Sequence, residues 1–265
     1  MKCVVINLAE HPARWKAMAN QFARSPLEVV RFEAVKGQGL SQGQRESLYS
    51  PDRNRRQYHQ PLTAGEIGCY ASHVAVWRAL RESPDPCWAV FEDDVELGEA
   101  LPALLHAVPA LSRGWEFLKL IGRENEKIAA RQNWISGHRL IRYRRVPSWC
   151  SAYVISRRGA ERMLTTHIPF GRPVDMDMRC WWESGCQIFG VQPYPVSLAP
   201  SSAQSTIGDR KQDLGLAVKL RRVLLRWEYN FNNWRACRAA DHSAFPVDSN
   251  GLGNCPLVEA SSNSA

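Results

Sequence analysis

The stretch Cys87-Trp-Ala-Val-Phe-Glu-Asp-Asp-Val95 decides the fold. Its first five residues are apolar or small and include no Gly or Pro, which predicts a strand buried on both faces, as in a parallel sheet. Three consecutive carboxylates follow, Glu92, Asp93 and Asp94, with Glu96 just beyond. They fall at the carboxyl end of the strand, where open α/β sheets bind their ligands. Strand alternation places Glu92 and Asp94 on one side and Asp93 on the other. Two same-side carboxylates suit a hard divalent cation, Mn2+ or Mg2+, which keeps positions free for phosphate oxygens. A solvated acidic turn leading into a helix N-terminus fits the same residues.

Upstream, the Val/Ile-rich run 2–8 predicts a first strand. Pro12 opens a helix to about residue 22, with Trp15, Met18 and Phe22 on one face. Residues 27–32 read as a second strand. Asn7 and Arg14 flank the end of the first strand, where a nucleotide would meet the sheet; Arg14 equally suits a solvated helix face. Residues 36–60 are polar, carry Gly37, Gly39, Gly43 and Pro51, and read as a long loop with a basic segment at Arg53, Arg55 and Arg56. Thr63-Ala-Gly-Glu66 has the spacing of a capping box. The helix it starts runs to about residue 81, with Ile67, Tyr70, Val74 and Trp77 on its apolar face. Ser72 and His73 interrupt that face; a lone helical His is more often structural than catalytic.

Downstream of the acidic strand, the pattern predicts a helix to about residue 111 and a strand at 116–121. A hairpin over 128–145 follows, with a cationic face of Arg139, Arg142, Arg144 and Arg145. Then come a strand at 148–156, a helix at 157–165, and short strands at 187–191 and 194–198. In Val174-Asp-Met-Asp-Met178, Asp175 is placed to cap a short helix and Asp177 to sit in its first turn.

With 265 residues, 45% hydrophobic and 23% charged, the chain has ordinary globular composition, enough for one large domain with appendages. Its formal net charge of +8 favours acidic partners without choosing among them. Eight scattered cysteines without a C-x-x-C pair suit reduced thiols rather than a disulfide framework or zinc site. The first apolar run is too short for a signal peptide, and no stretch is long and apolar enough to span a bilayer. The expected compartment is the cytoplasm.

Several stretches together resemble glycosyltransferase family 25, whose bacterial members build lipopolysaccharide or lipooligosaccharide outer cores. They are Val5-Ile-Asn-Leu8 with Arg14; Leu62-Thr-Ala-Gly-Glu-Ile-Gly-Cys-Tyr-Ala-Ser-His73 with Trp77; and Phe91-Glu-Asp-Asp-Val95. Ser151-Ala-Tyr-Val-Ile-Ser-Arg-Arg-Gly-Ala160, Pro173-Val-Asp175 and Gln204-Ser-Thr-Ile207 complete the set. The resemblance covers about residues 2–208. Ser148-Trp-Cys150 departs from the Gly-Thr pair of many members, which bears on the acceptor side.

That resemblance implies a GT-A type nucleotide-binding α/β sheet with helices on both faces. It implies transfer of a sugar, most often galactose from UDP-galactose, with inversion. Glu92 and Asp94 stand where the family binds its metal, and Asp93 is placed to reach the ribose. Asn7, Leu8, Arg14, Glu66, Ser72 and His73 would line the donor side. Asp175, with Asp177 as the alternative, would be the base that takes the acceptor hydroxyl proton. Arg139, Arg142 and Arg144 could hold acceptor phosphates, the acceptor being a lipid-linked oligosaccharide.

Past the resemblance, residues 214–238 interleave Leu and Val with Lys219, Arg221, Arg222 and Arg226, the pattern of a basic amphipathic helix. It fits either an anionic membrane interface on the inner face of the inner membrane or the flank of the catalytic domain. The expected division is a catalytic domain at 1–208, this helical segment at 209–238 and a flexible tail at 239–265. Competing functions are a metal-dependent phosphoesterase, a glycosidase and a nucleic-acid-binding module. The last is permitted by the charge and ten tryptophans, yet no binding motif supports it.

Overall fold

The computed structural model describes residues 1–112, 114–203, 215–239 and 245–247. In chain order its elements are β1 (Lys2–Asn7), α1 (Pro12–Phe22), β2 (Val29–Glu33), α2 (Gln42–Leu48), α3 (Pro51–Gln57), α4 (Ala64–Glu82), β3 (Cys87–Glu92) and β4 (Val95–Leu97). They continue with α5 (Leu101–Ala107), β5 (Phe117–Lys119), β6 (Ile128–Asn133), β7 (Arg139–Tyr143), β8 (Ala152–Ser156) and α6 (Arg157–His167). Last come α7 (Val174–Arg179), α8 (Trp181–Ser184), β9 (Ile188–Gln192), β10 (Val196–Leu198) and α9 (Leu216–Ala239).

Eight strands form one sheet in the order β2-β1-β3-β8-β5-β9-β7-β6, and β4 pairs with β10 apart from it. β3 runs parallel to β1 but antiparallel to β8. The purely parallel surroundings expected for β3 are therefore corrected to a mixed sheet. The apolar run required burial on both faces, and helices supply that whatever the strand direction. Alternate residues feed two core layers. Val4, Ile6, Trp88, Val90, Tyr153 and Ile155 belong to the layer that includes residues of α4, α6 and α7. Cys3, Val5, Ala89, Phe91, Ala152 and Val154 belong to the layer under α1 and α5. Helices thus cover both sides of the sheet.

Segment 36–60, expected as a long loop, contains α2 and α3. Ser41 and Gln44 form a capping box at α2, and the Ser50 hydroxyl accepts the Arg53 N–H at α3. Pro51 sits where its missing N–H costs nothing. The Pro that suggested a loop thus marks a helix start. From α3, Arg53 donates to the Pro169 carbonyl at 2.8 Å, and Asn54 donates to that of Gly171 at 2.8 Å. The segment is a platform for the turn that leads into α7. Pro173, not Asp175, is the N-cap of α7, and Asp175 lies in the first turn.

The side of α9 that meets the body is largely polar. Arg221 donates to the Tyr58 carbonyl at 2.9 Å, and Asn233 donates to that of Arg144 at 2.8 Å. Most of its apolar residues point outward: Leu216, Leu220, Val223, Leu224, Trp227, Phe231 and Trp234 are 48–84% exposed, while Leu225 faces the body. No helix among the described residues is long and apolar enough to cross a membrane. Three residues of the expected flexible tail are held in place. The Phe245 ring lies 5.7 Å from that of Phe189, and Ser112 donates its N–H to the Pro246 carbonyl at 2.7 Å. The Gln132 amide reaches the Val247 carbonyl at 3.2 Å. The Gln204-Ser-Thr-Ile207 motif lies outside the described residues.

Gly68 of α4 lets residues 35–37 lie directly on the helix. A Cβ there would sit 2.6 Å from both Gly37 N and Val35 O, whereas one at Gly43 in α2 would meet nothing within 4 Å. Gly68→Ala is expected to lower stability by about 1–3 kcal/mol in urea unfolding. Gly43→Ala should be neutral or stabilising by about 0.5–1 kcal/mol. Equal effects at the two sites would count against this packing.

Candidate active site

A cleft of about 360 Å³ opens at the carboxyl ends of β1, β2 and β3. Leu8, Arg14, Val35, Gly37, Ser72, His73 and all three carboxylates Glu92, Asp93 and Asp94 line it. Side-chain contacts follow the expected alternation: Glu92 turns to Cys69 and His73 of α4, whereas Asp93 turns to Asn7 and to Arg14 of α1, and all three carboxylates still open on the cleft.

Glu92 is held by a shell drawn from three parts of the chain. Ser151 donates to its Oε2 at 2.7 Å, and His73 Nε2 lies 3.4 Å from its Oε1. The Cys69 and Cys150 thiols approach the same Oε1 at 3.8 and 3.9 Å. Burial alone would raise its pKa, yet His73, Ser151 and Cys69 together bring it below the usual carboxylate range. His73 is fully buried, so it serves the interior rather than an open surface. Trp77 donates its indole N–H to the Tyr153 hydroxyl at 3.0 Å, and that hydroxyl lies 2.8 Å from His73 Nδ1. An indole can only donate. The Tyr153 hydroxyl thus links the Trp77 indole to the His73 ring, whose Nε2 faces Glu92. The His73 and Ser72 that break the apolar face of α4 therefore have distinct tasks. Ser72 donates to the Gly68 carbonyl and accepts the Val35 N–H, each at 2.8 Å, which seats the 35–37 wall of the cleft.

Asp93 is engaged differently. Asn7 donates to it at 2.6 Å, and Arg14 pairs with it at 3.4 Å. Asn7 is buried and accepts from Arg31 at 2.9 Å, so it orients Asp93 rather than lining the cleft itself. Glu66 completes the capping box with Thr63 and is not among the lining residues.

Asp94 contrasts with both. Its Oδ1 is buried and has no hydrogen-bond partner among the described residues. Burial, with the negative charges of Glu92 and Asp93, pushes its pKa up to about 6. An orphaned buried carboxylate oxygen beside two more carboxylates is a donor set that a hard divalent cation would satisfy. Cys69, His73 and Glu92 also lie within reach of one ion. Burial raises the Cys69 thiol well above its usual pKa, and His73 Nε2 already faces Glu92, so this softer set is the poorer fit.

The two aspartates of α7 take different roles. Asp177 is buried and accepts from Tyr70 at 2.7 Å, from the Arg172 guanidinium, and pairs with His167 at 3.3 Å. Those partners hold its carboxyl below the usual range despite burial. It ties α7 to α4. Asp175 is half-buried, and burial pushes its pKa up to about 6, opposed by the charges of Lys119 and Arg179 and assisted by that of Glu92. The fold thus brings Asp175 into electrostatic reach of the β3 carboxylates.

The arginines of the hairpin do not converge. Arg142 is buried, its guanidinium 4.9 Å from the Phe189 ring and 5.6 Å from that of Phe245. Arg139 and Arg144 are exposed, and Arg144 offers its backbone carbonyl to Asn233. Sequence reading missed Lys119, Cys150, Ser151 and Tyr153. Lys119 is fully buried and donates to the Pro147 carbonyl at 3.0 Å and to that of Trp149, with its pKa lowered by burial to about 8. A lysine inside an apolar strand, Phe117-Leu-Lys-Leu-Ile121, was the available signal.

Tyr153→Phe removes the hydroxyl between Trp77 and His73 and leaves two buried polar groups unpaired. A loss of about 1–3 kcal/mol is expected in chemical unfolding. An unchanged midpoint would show that the hydroxyl is not a link between them.

Comparison with known proteins places this geometry. The model of glycosyltransferase family 25 (LPS biosynthesis protein) matches residues 1–178. Procollagen galactosyltransferase 1-A of Xenopus laevis is 29% identical over 167 residues, 60% of this chain and 27% of that protein. Human procollagen galactosyltransferase 2 is 28% identical over 180 residues, 65% of this chain and 28% of its own length. A glycosyltransferase 25 family member of Aedes aegypti is 28% identical over 170 residues, 60% of this chain and 27% of its own. The chain thus aligns with a little over a quarter of the length of these relatives. The matched region 1–178 includes every residue lining the cleft and both aspartates of α7, and by that match the chain belongs to glycosyltransferase family 25.

Proposed function

We propose that the protein transfers galactose from UDP-galactose to a sugar hydroxyl, with inversion and with a divalent cation, on a GT-A-like sheet. The observation that carries this reading is the buried Asp94 oxygen at the mouth of β3, without a partner among the described residues, while Asp175 on a separate element feels the charge of Glu92. Asp94, with Glu92 beside it, would hold Mn2+ or Mg2+, which supplies Lewis-acid stabilisation of the departing diphosphate. Arg14 and Asn7 fix Asp93 toward the ribose side. The loop 35–37, seated by Ser72, closes one wall on the nucleotide. Asp175, ionised, takes the proton from the acceptor hydroxyl; its raised pKa brings its basicity closer to neutrality. Asp177 is left to its structural partners. Galactose as the sugar rests on the galactosyltransferase names of the relatives.

The acceptor we infer is a lipid-anchored lipopolysaccharide or lipooligosaccharide core, met at the cytoplasmic face of a membrane. Support comes from the family description and from α9. Its outward side chains at 216, 220, 223, 224, 227, 231 and 234 share a stripe about 100° wide, as interfacial helices do. Exposed Lys219 and Arg235 stand beside it and Arg238 falls within it, against the single acid Glu228, which suits anionic headgroups. α9 lies beyond the region matched by the family.

Two measurements test the reading. UDP release from UDP-galactose with an acceptor core should require Mn2+ or Mg2+ and stop in EDTA. Asp175→Asn should reduce kcat by roughly 10²-fold or more with UDP affinity retained. A base must be ionised, so wild-type kcat/KM should fall below about pH 6 and hold above it. Full turnover in EDTA, or a near-neutral Asp175→Asn, would overturn the assignment. For the membrane arm, full-length protein should sediment with phosphatidylglycerol vesicles at low salt and be released by high salt. The pair Leu220→Glu with Trp227→Glu should abolish that binding; a chain that ignores such vesicles at low salt rules the membrane role out.

A further inference from the structure

A second cleft, of about 550 Å³, lies between α9 and the body of the protein. Arg56, Arg145, Arg172, Arg179, Arg222 and Arg226 line it, against two acids, Glu183 and Glu228. Arg172 bridges Asp177 and Glu183, so its single charge is shared between two carboxylates. The other five arginines form no ion pair with a carboxylate among the described residues. Arg145 instead donates to Asn230 and lies 5.6 Å from the Tyr229 ring centre, and Arg179 lies 4.6 Å from that centre. Tyr229 and Trp182, 5.4 Å apart, supply aromatic walls. Five arginines thus face Glu228 and a Glu183 that Arg172 compensates only in part, which leaves the cleft cationic and suited to an anion.

The position of the cleft matters as much as its charge. Met176, adjacent to Asp175 in α7, lines it. Arg145 and Arg179 also line a smaller cavity of about 280 Å³ that reaches Ser148 and Trp149. Cys150 and Ser151, the next two residues, contact Glu92. Arg145 and Arg179 therefore stand at both cavities, and the segment lining the smaller one leads in sequence to the residues that contact Glu92. The opposite side of α9 carries the exposed apolar stripe.

We propose that this cleft binds a phosphate substituent on the oligosaccharide acceptor, outside the donor site. Guanidinium groups recognise phosphate oxygens by paired, charge-assisted hydrogen bonds. The face of Trp182 suits the C–H face of a pyranose ring. The ligand's place in the reaction rests on the transferase reading above; its binding does not.

The test is calorimetric and needs no turnover. The probes are a core oligosaccharide freed of its lipid, with its phosphates intact, and the same preparation after chemical dephosphorylation. Inorganic phosphate and phosphatidylglycerol vesicles serve as separate arms. The full chain should bind the phosphorylated probe at least about tenfold more tightly than the dephosphorylated one. The double variant Arg222→Ala with Arg226→Ala should lose that difference while UDP affinity stays unchanged. If the alanine pair does not fold, the glutamine pair R222Q with R226Q replaces it. Equal binding of the two probes overturns the proposal, as does a double variant that keeps the preference. So does inorganic phosphate binding as tightly as the phosphorylated probe, or a loss confined to the vesicle arm, which would assign the arginines to lipid headgroups. Intact oligosaccharide binding without UDP-sugar turnover would instead sink the transferase reading and leave the cleft standing.

Discussion

The carboxylate of Glu92 is the point on which the site depends. It ends a strand buried on both faces and draws hydrogen bonds from α4 through His73 and from the approach to β8 through Ser151. Behind His73, the Tyr153 hydroxyl and the Trp77 indole complete the chain of donors. A buried acceptor left short of partners carries a penalty of about 1–3 kcal/mol, so each of these groups restricts the others. Glu92 is thereby a fixed reference, and the two carboxylates after it inherit a defined position at the cleft floor.

Four aspartates then differ by environment alone. Asp93 is paired with Arg14 and Asn7, and Asp177 is saturated by Arg172, Tyr70 and His167. Both are occupied by these partners, which hold the Asp177 carboxyl below the usual range. Asp94 and Asp175 lack such compensation, and burial holds their pKa values up near 6. The first suits a cation, the second a proton. The separation follows from which groups are compensated and which are not, the usual way one fold assigns different work to identical side chains.

α9 reverses the ordinary arrangement of a surface helix, which buries its apolar side. Here arginine, asparagine and tyrosine face the body and most of the apolar side chains face out. One helix thus provides a wall of the arginine-lined cleft and an apolar outer surface. The two features are geometrically coupled, since a polar ligand in the cleft and an apolar phase outside would approach from opposite sides of the same element.

Local sequence determined the strands and helices around the cleft. The apolar run before Glu92 gave β3, and Thr63 with Glu66 gave the start of α4, because burial and capping act within a few residues. It also marked the acidic end of β3 as the site. What it could not supply was the partner of each group. Strand alternation sent Glu92 and Asp93 to different sides, yet only the fold shows that His73 and Ser151 hold the first and Asn7 and Arg14 the second. Asp175 and Asp177 were indistinguishable by sequence spacing, since what separates them is Tyr70, over a hundred residues upstream, and the buried Arg172 and His167. The hairpin arginines read as one cluster, yet Arg142 lies between aromatic rings while Arg145 joins arginines from α3, α7 and α9. Desolvation and charge compensation depend on distances between segments far apart in the chain, and only the tertiary structure sets those.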